Sequence, residues 1–205
     1  DSPALHLNGK DSVISNNHFE NVDYTCSEGW PFQAAVNTYM GFDTDFSYNT
    51  LINTACSQAL RGREGSDISY NYIRNAGWAQ TDGALIGGGH SMASAFNWTI
   101  DHKEKGMRFD AAWPPTAISQ WGTDSYAHHN VTLRTKGMVF KGWKQRIYNN
   151  TIVDQDYISA VIETSAALVI PRLVIHNDTK KTKDSNAPGS DIYQCVGEPI
   201  EQGGC

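Results

Sequence analysis

The sequence predicts an all-β protein in which short parallel strands stack around one elongated core. Three observations lead to this prediction: a small charged fraction, a short asparagine-headed pattern that repeats along the chain, and a second repeating pattern in phase with the first. Only 19% of the 205 residues are charged, whereas helical bundles and coiled coils are rich in Ala, Glu, Lys and Leu. The hydrophobic content of 40% predicts a folded chain and not a disordered one.

The first pattern is an asparagine that is followed two positions later by an apolar residue or a threonine. Most copies also carry an apolar residue three positions before the asparagine. The pattern recurs roughly every 25 residues, which is the spacing of a repeat architecture. Its copies are headed by Asn17, Asn49, Asn71, Asn97, Asn130 and Asn150, and it fades at Asn177.

The second pattern is a small or polar residue that precedes two apolar residues separated by one position. Together the two patterns give each unit two or three very short strands of period 2, joined by bends and loops. The irregular spacing excludes helical repeats, whose units keep nearly fixed lengths. Copies of the second pattern begin at Gln33, Gln58, Gly83, Gly106, Gly137 and Ser159, with a partial copy at Ala4.

Strands this short cannot bury themselves alone, but stacked at about 4.8 Å they form parallel sheets around a shared core. Over residues 4–177 the two patterns resemble the right-handed parallel β-helix of the pectate-lyase-like superfamily. The resemblance implies a β-helix domain of about seven coils over residues 1–178. A polar linker and an irregular cysteine-containing tail are expected over residues 179–205. A propeller or a sandwich is the alternative fold.

The repeated asparagines are expected to point into the core at a bend. Under period 2, Asn49 shares a face with Leu51, and the leucine must be internal. The side-chain amides of neighbouring coils would then bond to each other and to bent backbone groups, forming a ladder. The ladder therefore explains the asparagines without any catalytic role.

The same placement bears on glycosylation, because the chain contains four Asn-x-Thr sequons. Asn97, Asn130 and Asn177 coincide with the ladder position, so we expect them to be buried and to be poor acceptors. Asn149 lies one residue before the ladder position and is expected to face outward. If the protein is of eukaryotic secretory origin, Asn149 is the best candidate for a glycan.

The four cysteines indicate an oxidising compartment. Cys26 and Cys56 occupy the same loop on adjacent coils, so they are expected to form a disulfide, and Cys195 would then pair with Cys205 in the tail. Four cysteines allow three connectivities, and the other two remain open. The spacing of cysteine and histidine matches no metal-ligand pattern, so no metal is predicted.

Charged residues are expected to gather on the outer face of the sheet that the second pattern forms. Asp110, Lys141 and Glu163 would stand on three successive coils, with Arg108 beside them. In the superfamily that the chain resembles, this face commonly holds the sites of polysaccharide lyases and hydrolases. The neighbouring outward column is expected to read His6, Ala35, Leu60, Leu85, Arg108, Val139 and Val161.

Two catalytic schemes fit these charges. In a lyase, Lys141 would act as the base, and Arg108 would act as the carboxylate clamp or the acid. In a hydrolase, Asp110 and Glu163 would form an inverting pair of carboxylates. Alternating charges on stacked strands also form a plain salt-bridge ladder, which is the competing interpretation.

Aromatic and histidine side chains add further candidates for binding. Trp113 and Trp121 lie in the longest insertion and could stack on sugar rings beside the charged column, or pack over the flank of the coils. His102 and the His128–His129 pair are candidates for a general acid. Their competing interpretation is that of exposed turn histidines with no role.

Two functions from different classes follow. The favoured one is an extracellular β-helix glycoprotein module with a structural, filament-forming or cell-surface role. It would form a segment of a larger protein, and no cofactor is expected. Its expected partners are polysaccharides, or neighbouring copies and domains that stack on the open ends. The alternative is a polysaccharide-active lyase, epimerase or hydrolase that acts on uronate-containing glycans. The net charge of −6 argues against a nucleic-acid partner, and no run of 18 apolar residues predicts a membrane span.

Overall fold

The structure is a computed structural model, and it describes part of the chain. The described residues are 5–6, 9–22, 34–37, 42–54, 58–76, 83–88, 91–109, 125–141, 146–153, 160–163 and 173–176. Within them every regular element is a β-strand. No helix in these ranges has the length and apolar character that crossing a bilayer requires.

The described strands are numbered β1 to β19 in chain order. The first ten are β1 Leu5–His6, β2 Val13–Ser15, β3 His18–Glu20, β4 Ala34–Asn37, β5 Asp45–Ser47, β6 Thr50–Thr54, β7 Gln58–Arg61, β8 Asp67–Ser69, β9 Tyr72–Ala76 and β10 Ala84–Gly88. The remaining nine are β11 Ala93–Ala95, β12 Trp98–Ile100, β13 Lys105–Phe109, β14 Tyr126–His128, β15 Val131–Leu133, β16 Met138–Lys141, β17 Arg146–Val153, β18 Ala160–Glu163 and β19 Leu173–His176.

The strands form parallel sheets in which each strand pairs with its equivalents on neighbouring coils. One sheet has seven strands in the order β1-β4-β7-β10-β13-β16-β18, and these strands are the copies of the second sequence pattern. The other sheet has twelve strands. It consists of two columns, β2-β5-β8-β11-β14 and β3-β6-β9-β12-β15, which are joined through the long strand β17, with β19 paired to β17. Every strand pairing in the described part of the chain is parallel.

The prediction of an all-β chain with stacked parallel strands is confirmed, and the arrangement fits a parallel β-helix. Along the described coils, strands of each column repeat from one coil to the next, so side chains at one position stack along the axis. This stacking aligns chemically similar residues that lie far apart in sequence. It therefore decides which side chains of the chain can act together.

The core runs along the inside of these sheets. Alternation along each short strand turns one side chain inward, as at Phe46 on β5, Leu51 on β6 and Ile68 on β8, all of which are fully buried. Threonines are also buried on these strands, among them Thr99 on β12 and Thr132 on β15. The hydroxyls of Thr99 and Thr132 satisfy each other across neighbouring coils at 2.9 Å.

The structure corrects the outward column that was expected to pass through Leu60, Leu85 and Arg108. Leu60 and Leu85 are both fully buried, and Leu60 is the register partner of Ile86. The residue opposite Arg108 is Gly87, where a Cβ would clash with the side-chain amide of Gln58. The sequence alignment of these coils was shifted because loops of unequal length separate them. The observed column through Arg108 reads His6, Asn37, Arg61, Gly87, Arg108, Val139 and Val161.

Candidate functional site

An asparagine ladder follows the bend between the two columns of the larger sheet. Its rungs are joined in one repeating way, because the Oδ1 of each asparagine accepts both the backbone N–H and the Nδ2–H of the asparagine one coil earlier. Between Asn71 and Asn97 these two bonds measure 2.9 and 3.0 Å. The predicted ladder is confirmed for Asn17, Asn49, Asn71, Asn97, Asn130 and Asn150.

The same asparagines also hold the bend in shape. The Nδ2 of Asn71 donates to the carbonyl of Phe46 at 2.8 Å, and the Nδ2 of Asn97 donates in the same way to the carbonyl of Ile68 at 2.7 Å. The residue directly before each rung has a left-handed backbone with φ between 53° and 59°. Bulky residues adopt this conformation only when the surrounding structure imposes it, and here the ladder does so. The left-handed residues are Asn16, Tyr48, Tyr70, Phe96, His129 and Asn149.

Four of those left-handed residues form a stack outside the bend, which we call the aromatic corner: Tyr48, Tyr70, Phe96 and His129. Neighbouring ring centroids lie 4.8, 4.8 and 4.9 Å apart, and the ring planes are parallel within 2°, 4° and 19°. Stacked contacts of this kind contribute roughly 0.5–1.5 kcal/mol per pair beyond area burial. Sequence reasoning missed the aromatic corner, although its members all stand immediately before a ladder asparagine.

The geometry of the aromatic corner limits what it can bind. Tyr48, Tyr70 and Phe96 are 57%, 46% and 38% exposed, but each ring covers the face of the next. Solvent therefore meets ring edges, whereas a sugar stacks on a ring face. The corner is built to hold coils together and offers a sugar no open ring face between its members.

A pair of exposed aromatic residues lies beside the corner on the next strands. Tyr72 on β9 and Trp98 on β12 are register partners, and both side chains are exposed. Among the described residues neither ring stacks on another aromatic ring. This pair offers the kind of aromatic surface that the sequence suggested for Trp113 and Trp121, which lie outside the described residues.

The two adjacent histidines at the corner contact each other, and His129 also contacts Asn149. The Nδ2 of Asn149 lies 3.2 Å from the Nε2 of His129, and an amide N–H donates, so this Nε2 accepts. The Nδ1 of His129 lies 2.9 Å from the Nδ1 of His128, so one of these two nitrogens carries the hydrogen of this bond. Burial and the neighbouring His129 lower the pKa of His128, while Asp67 opposes them. The neutral form of the His128 imidazole is therefore favoured within the corner.

His102 lies inside the coils, so the expectation that it is an exposed turn residue is wrong. Its side chain is 4% exposed, and neither ring nitrogen has a hydrogen-bond partner among the described residues. Burial lowers the pKa of His102 to about 3, against the opposing charge of Glu104. Asp101, which precedes His102 after β12, has a left-handed backbone with φ 56°. A buried neutral imidazole is poorly placed to contact a polysaccharide.

Charges near this turn pair with each other between coils. Asp101 accepts from Arg134 on one side and from Arg74 at 2.7 Å on the other. The hydrogen bond from Arg134 lowers the pKa of Asp101 most, against partial burial and together with Arg74. Burial opposes the ionisation of Glu104, but hydrogen bonds from Lys136 at 2.6 Å and Lys105 at 3.1 Å outweigh it and lower its pKa.

On the proposed catalytic face, the strand register is known for three of the four charged residues. Lys141 on β16 is the register partner of Glu163 on β18, so the two stand on neighbouring coils as expected. Arg108 is half-buried and is the register partner of Val139. Val139 stands two residues before Lys141 on β16. Asp110 and the side chains of Lys141 and Glu163 lie outside the described residues. The catalytic roles of these four residues therefore stay predictions.

The remaining predicted sites divide between described and undescribed parts of the chain. Asn97 and Asn130 are fully buried, whereas Asn149 is exposed, as the ladder phase predicted. Asn177 lies outside the described residues. So do all four cysteines: Cys26, Cys56, Cys195 and Cys205. Within the described ranges, no three His, Cys, Asp or Glu side chains are grouped as a metal site.

Comparison of the chain with protein-family models, with curated proteins and with solved structures finds no match. The geometry of the ladder, the aromatic corner and the charged residues is therefore the basis of the proposed function.

Proposed function

We propose that the chain is an extracellular module with a structural, filament-forming or cell-surface role, and that it forms part of a larger protein. In this proposal the fold is a right-handed, pectate-lyase-like β-helix of about seven coils. The observation that carries the proposal is the use of side chains at the bends. The asparagine ladder, the aromatic corner and the ion pairs of Asp101 and Glu104 all connect one coil to the next.

Such contacts favour a mechanical role. Each ladder rung bonds to the next rung through two hydrogen bonds, and ring stacking reinforces the outside of the same bend. Connected polar networks that are fully satisfied rigidify a structure, since each bond fixes its neighbours. A rod that is tied along its axis in this way resists bending between coils, which suits a fibre or a cell-surface stalk.

The exposed end of the ladder supplies a place for assembly. Within the described residues the Oδ1 of Asn17 accepts no hydrogen bond, whereas each later rung accepts two. Asn17 is exposed, and so is the nearby Val13 on β2. A coil of the same kind, from a neighbouring copy or an adjoining domain, would continue the ladder here.

Sedimentation velocity and negative-stain electron microscopy over a range of concentrations test this proposal. We expect the unaltered chain to form end-to-end assemblies whose population rises with concentration. The Asn17→Ala variant should assemble less, while Lys103→Ala, which changes another exposed residue, should assemble as the unaltered chain does. A chain that stays monomeric throughout, with no effect of Asn17→Ala, contradicts the filament-forming role.

A second candidate function is a polysaccharide lyase, epimerase or hydrolase. It is supported by the register of Lys141 with Glu163 and by the position of Arg108 on the neighbouring coil. Incubation with alginate, pectate and glycosaminoglycans, followed by the absorbance of unsaturated products near 235 nm, tests the lyase. Activity that disappears in Lys141→Ala and persists in Lys103→Ala would replace the structural proposal.

A further inference from the structure

The three described sequons fall into two structural classes. Asn97 and Asn130 are rungs of the asparagine ladder and are fully buried. Asn149 stands one residue before a rung, at an exposed left-handed position with φ 53°. The same Asn-x-Thr sequon therefore occurs both on the inside and on the outside of the bend.

The amide hydrogens of the two buried asparagines are already used. The Nδ2 of Asn97 donates to the carbonyl of Ile68 at 2.7 Å and to the Oδ1 of Asn130 at 3.0 Å. The Nδ2 of Asn130 donates to the carbonyl of Ser94 and to the Oδ1 of Asn150, both at 2.9 Å. A sugar on either nitrogen would remove one of these bonds and require space that the packed core does not have.

The side-chain amide of Asn149, in contrast, is exposed and only partly hydrogen-bonded. One hydrogen of its Nδ2 faces the Nε2 of His129 at 3.2 Å, and the second hydrogen is left for a glycosidic bond. The side chain is exposed, so an attached sugar would extend from the bend into solvent. The third sequon residue, Thr151, lies on β17 with its side chain half-buried.

We infer that Asn149 is a glycan attachment site that the folded chain tolerates, and that glycosylation of Asn97 or Asn130 excludes folding. In the attachment step, Nδ2 forms a bond to C1 of an oligosaccharide carried on a lipid diphosphate. The C1–O bond to the diphosphate breaks, the diphosphate leaves with the electron pair, and Nδ2 loses one proton to a base. This inference concerns the folded chain and is independent of the structural role proposed above.

Two threonines allow both buried sequons to be removed without disturbing the ladder. Thr99 and Thr132 are the third residues of the Asn97 and Asn130 sequons, and they are register partners. Their hydroxyls bond to each other at 2.9 Å. Replacing both by valine removes the two hydroxyls together, so neither is left buried without this partner.

The test expresses three chains in the secretory pathway of eukaryotic cells, each with Thr179→Ala to remove the Asn177 sequon. The first keeps the ladder sequons, the second carries Thr99→Val and Thr132→Val, and the third adds Thr151→Val. Glycopeptides of the protease-resistant, folded fraction are then mapped by mass spectrometry. We expect a glycan at Asn149 alone in the first two chains and none in the third. The first chain should give a several-fold smaller folded fraction than the second.

Either of two results overturns the inference: a glycan at Asn97 or Asn130 in folded protein, or unmodified Asn149 in folded protein of the first two chains. Expression of the same chains in the bacterial cytoplasm, without glycosylation, measures how the valines affect folding by themselves. If the valine variant does not fold there, the map of the first chain still decides the outcome, since it contains all three described sequons.

Discussion

The inside and the outside of one bend solve the same packing problem with different chemistry. Inside, Asn71 and Asn97 are buried and joined by two hydrogen bonds. Outside and one residue earlier, Tyr70 and Phe96 are exposed and joined by ring stacking. A buried polar group that loses its partner is costly, whereas an exposed ring that loses its neighbour still meets water. The comparison therefore predicts that the inside tolerates far less change than the outside.

The largest effect is expected for Asn97→Ala. This substitution leaves the backbone N–H and the side-chain amide of Asn71 without their acceptor, and it removes the side-chain donor to the carbonyl of Ile68. We expect the free energy of unfolding to fall by about 3–5 kcal/mol. Urea denaturation measures it. Asn17→Ala, at the exposed end of the ladder, is the control and should cost only about 1 kcal/mol.

A pH titration of stability extends the comparison to His102, the buried imidazole in the turn after β12. Its pKa is near 6.5 in the unfolded chain and about 3 in the folded chain, so the unfolded chain takes up the proton first. The stability is complete above pH 6.5 and falls as the pH drops from 6.5 towards 3, with a loss of about 2 kcal/mol by pH 5. Urea denaturation of His102→Leu across this range should show a flatter dependence. Identical profiles for the two chains contradict the assignment.

On the outside of the bend, Tyr70→Ala removes two stacking contacts, with Tyr48 and with Phe96. We expect a loss of about 1–2 kcal/mol in thermal or urea unfolding. Tyr70→Asn should lose less, because asparagine adopts the left-handed conformation at φ 57° more readily than alanine. A loss for Tyr70→Ala that equals that of Asn97→Ala would remove the distinction between inside and outside.

The smallest effect is expected for Asp101→Asn, on the exposed side of the turn. Arg74 and Arg134, its two partners, have half-exposed side chains. Solvent screens such pairs, so the loss should be about 0.5 kcal/mol and should shrink as salt is added. Urea denaturation at low and high ionic strength measures it. A loss that does not change with salt would indicate packing instead of charge.

The strands and the ladder could be predicted from the sequence because both follow a period that repeated asparagines mark directly. The same repeat also marks the aromatic corner, since Tyr48, Tyr70 and Phe96 each stand directly before a ladder asparagine. The corner was missed because aromatic residues at a bend are usually assigned to loops. Positions that follow loops of variable length could not be predicted from a period. For this reason the predicted outward position of Leu85 and the predicted exposure of His102 were wrong.

The charged face illustrates a different limit. The strand register that sets Lys141 opposite Glu163 follows from the apolar alternation of β16 and β18. Whether carboxylate and ammonium groups then pair or act on a substrate depends on side-chain positions and on neighbouring loops. A pattern of apolar residues does not encode these positions, so the catalytic roles of Arg108, Asp110, Lys141 and Glu163 need the activity measurement.

The ladder has a direction, because every side-chain amide in it is oriented the same way. From Asn17 to Asn150 each Nδ2–H points to the next coil and each Oδ1 points back. The aligned amide dipoles add along the axis and polarise one another, as peptide dipoles do in a helix. The Asn17 end is therefore partially negative and the Asn150 end partially positive. Two rods that join through this ladder must meet head to tail.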